Sequence, residues 1–296
     1  MHVRIGTRGS KLALWQARLV QRKLEEAGLQ SEIVEIETVG DQVQSVPLHE
    51  VGGVGLFTKA LDKALMERAV DIAVHSAKDI PSVIEDELEI IAFLEREDPR
   101  DVLLATSEEV SLENLSRSWV VGTSSLRRSA LLKNYFRHVE VKDIRGNVDT
   151  RVDKLESGAY DAIMLAYAGV KRMGFESLIV QKFNIHSITS AVGQGAIAIM
   201  ASKKSKYTDA IQSILNHRET ELALRCERSF LRTIEGGCKV PVFGYAHVQG
   251  GAIYFHGGMA REDGSEVFRE KVEGAVENGI KLGNKVAQVI LNQVNS

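Results

Sequence analysis

Short apolar runs alternate with helix-period segments through the first two-thirds of the chain, and that alternation restricts the fold to α/β layering. VRIGT (3–7) reads as a strand, followed by a helix through LALWQARLVQRKLEEAG that Gly28 closes. SEIVEIETVG (31–40) alternates as a strand does, and a glycine-rich loop, EVGGVGLF (50–57), leads into the helix TKALDKALMERA. VDIAVHS (70–76) and LEIIAFLE (88–95) are strands, and the charged EREDPRD (95–101) marks a crossover into a second unit. There SWVVGT (118–123), VEVKDI (139–144) and YDAIMLA (160–166) are strands separated by helices, and AVGQGAIAIMAS (191–202) is strand-like again. The pattern then changes. Thr208 to Ile234 has helical period, and GYAHVQ, AIYFHGGMA and SEVFREKVEG form an antiparallel meander with turns at QGG and REDGS. A last helix, GIKLGNKVAQVILNQ, completes an α+β third domain.

Composition narrows the function. The 296 residues suffice for two domains or three, and the net charge of −3 gives no general attraction to nucleic acid. Any bound anion must therefore be held by local basic groups. The N-terminus, MHVRIGTRGSKLALW, has no apolar export region, so a cytoplasmic protein is expected, and no run of ~18 apolar residues predicts a membrane span. The two cysteines, Cys226 and Cys238, form no CxxC pair and no metal-ligand spacing.

The residues just beyond each strand are more telling, because open α/β sheets bind ligands past the carboxyl ends of their strands. After VRI comes GTRGS, with Arg8 and Ser10; after VDIAV comes HSAKD, with Ser76, Lys78 and Asp79. After WVV comes GTSSLRR, with Thr123, Ser124, Ser125, Arg127 and Arg128; after VEVKDI come Arg145 and then Arg151; after DAIML come Lys171 and Arg172. Arg127 and Arg128 occupy the first turn of a helix, where cations are disfavoured by ~0.3–1 kcal/mol each. A bound anion would account for them, and so would side chains that snorkel into solvent or pair with acidic residues. Taken with the other strand ends, they predict a cleft for a polyanionic small molecule.

Asp79 is the lone carboxylate in this basic set, suited either to a salt bridge or to stabilising a developing cation. GGVGLF lacks the full dinucleotide fingerprint and reads as a loop or lid. His75 ends a buried strand and reads as a structural histidine with its hydrogen bonds met. Cys226 shares a helix stripe with Leu222 and Phe230 and reads as an inert core thiol. Cys238, in EGGCKVPVF, lies on no such stripe. Gly236, Gly237 and Pro241 fix a turn that presents a reactive thiol or a covalent attachment point.

The motifs GTRGSKLALWQA, VGGVGLFTKAL, VDIAVHSAKDIP, EREDPRD, VGTSSLRR, IRGNVDTR, AVGQGA and EGGCKVPV, in this order and at these spacings, resemble the porphobilinogen deaminase family from residue 3 to about residue 260. The resemblance implies three domains: 1–97 with about 191–213, 98–190, and 214–296. The first two would be mixed-sheet lobes like those of type II periplasmic binding proteins, with the active-site cleft between them. The third would be a small α+β domain with a three-stranded antiparallel sheet, and it would carry the cysteine. It further implies a transferase of tetrapyrrole and haem biosynthesis. Such an enzyme condenses four porphobilinogen molecules, with loss of ammonia, on a dipyrromethane cofactor and releases hydroxymethylbilane.

In that resemblance Cys238 holds the cofactor as a thioether and Asp79 is the catalytic aspartate. Lys78, Asp79, Thr123, Ser124, Ser125, Arg127, Arg128 and Arg145 match cofactor contacts. Arg8, Ser10, Phe57, Arg145, Arg151 and Arg172 match substrate contacts, with no metal, nucleic-acid or membrane partner and a monomeric chain. The sequence departs from the family where Val39, Glu50 and Val54 replace commonly basic positions, which makes the glycine-rich loop less basic than expected. The rival readings are a two-lobed protein that only binds a small anion, which the missing export signal and the GGC turn oppose, and a degenerate family member that elongates weakly.

Overall fold

The computed structural model describes residues 2–38, 58–113, 118–234 and 240–295. Their contacts divide the chain into two units, 1–97 with 196–222 and 98–195 with 223–296.

In the first unit, β1 (His2–Thr7) leads into α1 (Lys11–Glu26). The Ser10 side chain starts α1 by accepting from Ala13 N at 3.3 Å, and Gly28 follows its end at φ +83°. Gln16, Ala17, Val20 and Leu24 form its buried stripe. β2 (Gln30–Glu35), α2 (Lys59–Met66), β3 (Ile72–Ser76) and β4 (Leu88–Phe93) follow. In the second unit come β5 (Asp101–Leu104), β6 (Val120–Gly122), α3 (Leu126–Tyr135), β7 (Glu140–Lys142) and α4 (Val148–Glu156). β8 (Ala162–Ala166), α5 (Tyr167–Met173) and β9 (Ile179–Lys182) complete its sheet. The chain then returns to the first unit with β10 (Ile197–Ser202) and α6 (Thr208–Leu215). α7 (Arg218–Ile234) links the units in sequence, and β11 (Val242–Gln249), β12 (Ala252–Ala260), β13 (Val267–Ala275) and α8 (Gly279–Asn295) end the chain.

The two five-stranded sheets share one plan. The first has the order β2-β1-β3-β10-β4 and the second β7-β6-β8-β5-β9. In each, three parallel strands are followed by an antiparallel fourth and then a fifth antiparallel to that fourth. The fourth strand arrives from across the chain both times: β10 from far downstream, β5 from just after the crossover. Val3, Ile5, Ile72, Val74, Ile197 and Ile199 anchor one core, and Leu103, Val121, Leu131, Ala162 and Met164 another. Burying each of the valine, leucine, isoleucine and methionine side chains among them stabilises by about 1.5–3 kcal/mol. The third sheet, β11-β12-β13, is an antiparallel meander whose inner face packs Ala246, Ile253 and Phe255 with Cys226, Phe230 and Ile290. The architecture is thus mixed α/β, with two five-stranded mixed sheets of one plan and a small three-stranded antiparallel sheet.

Several boundaries differ from the sequence reading. The strand expected over 31–40 stops at Glu35, because its partner β1 ends at Thr7 opposite it. The strand expected over 191–202 starts only at Ile197. Gly193 and Gly195 take φ of +77° and +91°, which a strand cannot hold. The helical stretch from Thr208 to Ile234 is two helices, broken where Asn216 turns extended and accepts from Phe93 N at 3.0 Å. β5 and β9 do not stand out by pattern, being only four residues each. Among the described residues no helix is long and apolar enough to cross a membrane.

Candidate active site

β1 and β3 are parallel neighbours, Ile5 opposite Ile72, so the segments after them leave the sheet along one edge. After β1, the Thr7 hydroxyl donates to Ala13 O at 3.2 Å, Arg8 lies half-buried, and Ser10 caps α1. After β3, Gln16 Nε2 donates to Ser76 Oγ at 2.9 Å. Ala77 N donates to Ala196 O at 3.0 Å and starts a single 3₁₀ turn, Ala77–Asp79, that leaves Lys78 and Asp79 exposed. Burial, and secondly the Arg8 charge, holds His75 down at about 4. The Arg8 guanidinium thus acts on the end of β3. His75 is not the satisfied histidine expected, since its Nε2 is buried with no hydrogen-bond partner among the described residues. The structure therefore brings Arg8, Ser10, Lys78 and Asp79 to one sheet edge.

In the second unit β6 pairs in parallel with both β7 and β8, and the segments after β6 and β7 are stitched together. Thr123 N donates to Lys142 O at 2.9 Å, and the Ser124 hydroxyl donates to Ile144 O. Thr123 Oγ1 accepts from Ser125 N at 3.3 Å, and Ser125 Oγ accepts from Arg128 N at 3.4 Å to cap α3. Arg145 is half-buried, with its carbonyl held by Lys154 Nζ at 2.9 Å. Arg151 Nε donates to Gly146 O at 2.8 Å. Arg172, on α5 after β8, donates to Gly195 O at 2.8 Å.

Arg127 and Arg128 are placed differently from the other arginines. Both are buried, 5% and 6% exposed, against Asp101 at 0%. Arg127 Nη1 lies 2.7 Å from Asp101 Oδ2 and also donates to Thr189 O at 2.7 Å. Arg128 donates to Asp101 Oδ1 through Nε at 3.0 Å and Nη2 at 2.8 Å. Gln194 Nε2 adds a bond to the same oxygen at 2.9 Å. Of the explanations the sequence left open for this arginine pair, pairing with an acidic residue is what the geometry contains. Burial alone would raise the Asp101 carboxyl, but the two guanidinium charges outweigh it and hold it at about 2. One carboxylate against two guanidiniums leaves this buried cluster one positive charge in excess. It sits beside the N-terminus of α3, whose dipole has the same sign. An uncompensated buried charge is costly, so the cluster favours an anion nearby. Arg127 Nε is buried without a hydrogen-bond partner among the described residues. Hydroxyls, guanidiniums and a helix N-terminus are the donor set that a carboxylate-bearing ligand needs.

Sequence reasoning misses three members of this frame. Asp101 reads only as part of a charged crossover, although an acid opening an apolar strand, DVLL, is an available signal. Gln194 hides in a segment whose pattern suggests a strand. Glu227, fully buried, accepts from Gly193 N at 2.8 Å and Ala246 N at 2.7 Å, and a charged residue beside Cys226 on the buried stripe is its only trace. Cys226 is buried as expected, and burial pushes its thiol far up. Cys238, Phe57, Val39, Glu50 and Val54 lie outside the described residues.

Two mixed sheets of this order, with basic and hydroxyl groups beyond their parallel strands, define a protein of the two-lobed α/β class. Family comparison is more specific. The model described as porphobilinogen deaminase, dipyromethane cofactor binding domain, matches residues 3–210, and that of the porphobilinogen deaminase C-terminal domain matches 222–292. Porphobilinogen deaminase of Desulfosudis oleivorans is 42% identical over 98% of this chain and 94% of its own length. That of Syntrophomonas wolfei is 43% identical over 99% and 96%. Among solved structures, a BvgS VFT2 domain of Bordetella pertussis aligns with 73% of this chain and 85% of its own at 15% identity and a TM-score of 0.40. The chain belongs to the porphobilinogen deaminase family and is a transferase of tetrapyrrole synthesis.

Proposed function

We propose that this enzyme condenses four porphobilinogen molecules head to tail, with loss of ammonia, on a dipyrromethane carried as a thioether by Cys238, and releases hydroxymethylbilane. The observation that supports it best is the excess positive charge of Asp101, Arg127 and Arg128 at the start of α3, beside the Thr123–Ser125 hydroxyls. Porphobilinogen and its products carry an acetate and a propionate on every ring, so chain growth accumulates negative charge. Thr123, Ser124, Ser125, Arg127, Arg128, Arg145 and Lys78 would hold the cofactor's carboxylates. When bound, the cofactor supplies the free pyrrole α-position to which each new ring is joined.

Arg8, Ser10, Phe57, Arg145, Arg151 and Arg172 bind and orient the incoming substrate. Bidentate guanidiniums suit its carboxylates better than ammonium groups would. Asp79 is the catalytic residue. Loss of ammonia from the aminomethyl group, and the subsequent bond formation, both build positive charge on a pyrrole, and a carboxylate facing its N–H stabilises that charge. The exposed 3₁₀ turn that carries Asp79 leaves its carboxylate unenclosed, able to face a ring. The enzyme works as a cytoplasmic monomer with no metal.

Intact-mass measurement of the protein purified from cells making porphobilinogen tests this reading. The wild-type chain should carry an added mass of two pyrrole units, and Cys238→Ser should not. An unmodified wild-type chain would overturn it.

A further inference from the structure

The antiparallel sheet of β11, β12 and β13 has a second face that the chemistry above does not use. Period-two alternation sends Ala246, Ile253 and Phe255 inward to the core. The opposite face carries two cross-strand rows. Tyr245 pairs with His256 and His256 with Lys271; His247 pairs with Tyr254 and Tyr254 with Glu273. These side chains, with His186 from the segment before β10, line a cavity of about 380 Å³. That is within the range of small-molecule sites.

The lining is flat and underbonded. Tyr245 and His247 are stacked at 5.6 Å and 18°, and His247 and Tyr254 at 5.1 Å and 14°. His186 lies 5.8 Å from His256. His256 is 5% exposed, yet neither of its ring nitrogens has a hydrogen-bond partner among the described residues, nor does His247 Nδ1. Buried polar atoms are nearly always bonded, so three unmet nitrogens on two of the residues that line one cavity point to a ligand. Among the described residues no cluster of histidine, cysteine or acidic side chains is arranged to hold a metal ion. Burial, then the Arg269 and Lys271 charges, holds His256 down at about 4, so the ring is neutral and offers one N–H donor and one bare acceptor. The same two cations make this a place for a negative group. Glu273, one row away, leaves the Lys271 end the more positive.

We propose that the outer face of this sheet is a second small-molecule site, one that takes a planar aromatic acid bearing a ring N–H. The ring stacks on the tyrosine and histidine faces, its N–H meets a bare imidazole nitrogen, and its carboxylate meets Lys271. The site does not depend on the chemistry proposed for Cys238 and Asp79.

The test titrates indole-3-acetate, which matches the class and is not the reaction's substrate, into the full-length holoenzyme. NMR follows the histidine ring signals. Saturable shifts of the His186, His247 and His256 signals are expected. Lys271→Ala should weaken binding about tenfold or more, the worth of one charge-assisted bond, and 3-methylindole, which lacks the carboxylate, should bind the wild type as weakly. His247→Phe keeps the stack and removes the nitrogens, and it should also weaken binding. Porphobilinogen turnover should be unchanged in Lys271→Ala. Absence of saturable shifts, wild-type affinity in both variants, or loss of turnover in Lys271→Ala would each overturn the proposal.

Discussion

Asp101→Asn isolates the electrostatics of the buried cluster, because asparagine keeps the shape and removes the charge. In the wild type a carboxylate with no exposure receives hydrogen bonds from Arg127, Arg128 and Gln194. Without its charge, two buried guanidiniums face each other uncompensated, and breaking a buried pair in this way costs about 3–5 kcal/mol. At about 2–4 °C per kcal/mol for a chain of this order of size, Tm should fall by about 6–20 °C at pH 7. The sign of the pH effect is also fixed. Folding lowers the Asp101 pKa from 3.8 to about 2. Its stabilisation is therefore present above pH ~4 and is lost as pH falls through about 2, a linked contribution of ~2 kcal/mol. Calorimetry of both chains from pH 7 to pH 2 should show a gap that narrows only below pH ~4. A variant whose Tm at pH 7 lies within about 1 °C of the wild type, or a gap that does not narrow in acid, would refute the reasoning.

Asp79→Ala should keep the mass of the attached cofactor and lose nearly all turnover of porphobilinogen, whereas near-normal turnover would remove Asp79 from catalysis. His75 is held neutral in the fold, its pKa lowered from 6.5 to about 4. Its contribution is thus complete above pH ~6.5 and lost as pH falls to ~4, by ~3 kcal/mol. Urea midpoints across that range should fall less steeply in His75→Leu than in the wild type. Gly264 has φ +77°, and a Cβ there would lie 2.7 Å from Lys133 Cβ and 2.8 Å from Ala130 O. Gly264→Ala should therefore cost about 2 kcal/mol or more in chemical denaturation, and a loss below ~0.5 kcal/mol would show that the α3 contact gives way.

The parts of this protein that obey local rules are readable in its sequence. Period-two runs such as VDIAV and the 3.6-residue stripe of α1 announce their elements. The strand-end motifs by themselves put Arg8, Ser10 and Asp79 on one edge. Long-range partnership is what local rules do not reach. Nothing near Arg127 and Arg128 indicates that their counter-charge is Asp101, 26 and 27 positions away, or that Gln194 completes the shell. The same holds for Glu227, whose two backbone donors belong to distant segments. Short strands escape for a related reason. Ile179–Lys182 is four residues long and is a strand only because β5 lies alongside it.

The origin of β10 bears on how the chain is made. Ser76 in β3 pairs with Ile197, a separation of 121 residues. During synthesis at about 5–20 residues per second, β3 emerges some 6–24 s before its neighbour exists. For that interval the apolar row Ile72, Ala73 and Val74 has β1 on one side and an open edge on the other, while β5 to β9 can already close the second sheet. Of the two five-stranded sheets, the one begun earlier in the chain is the one completed later, and its unpaired edge is where a ribosome-bound chaperone or a misfolding encounter would act.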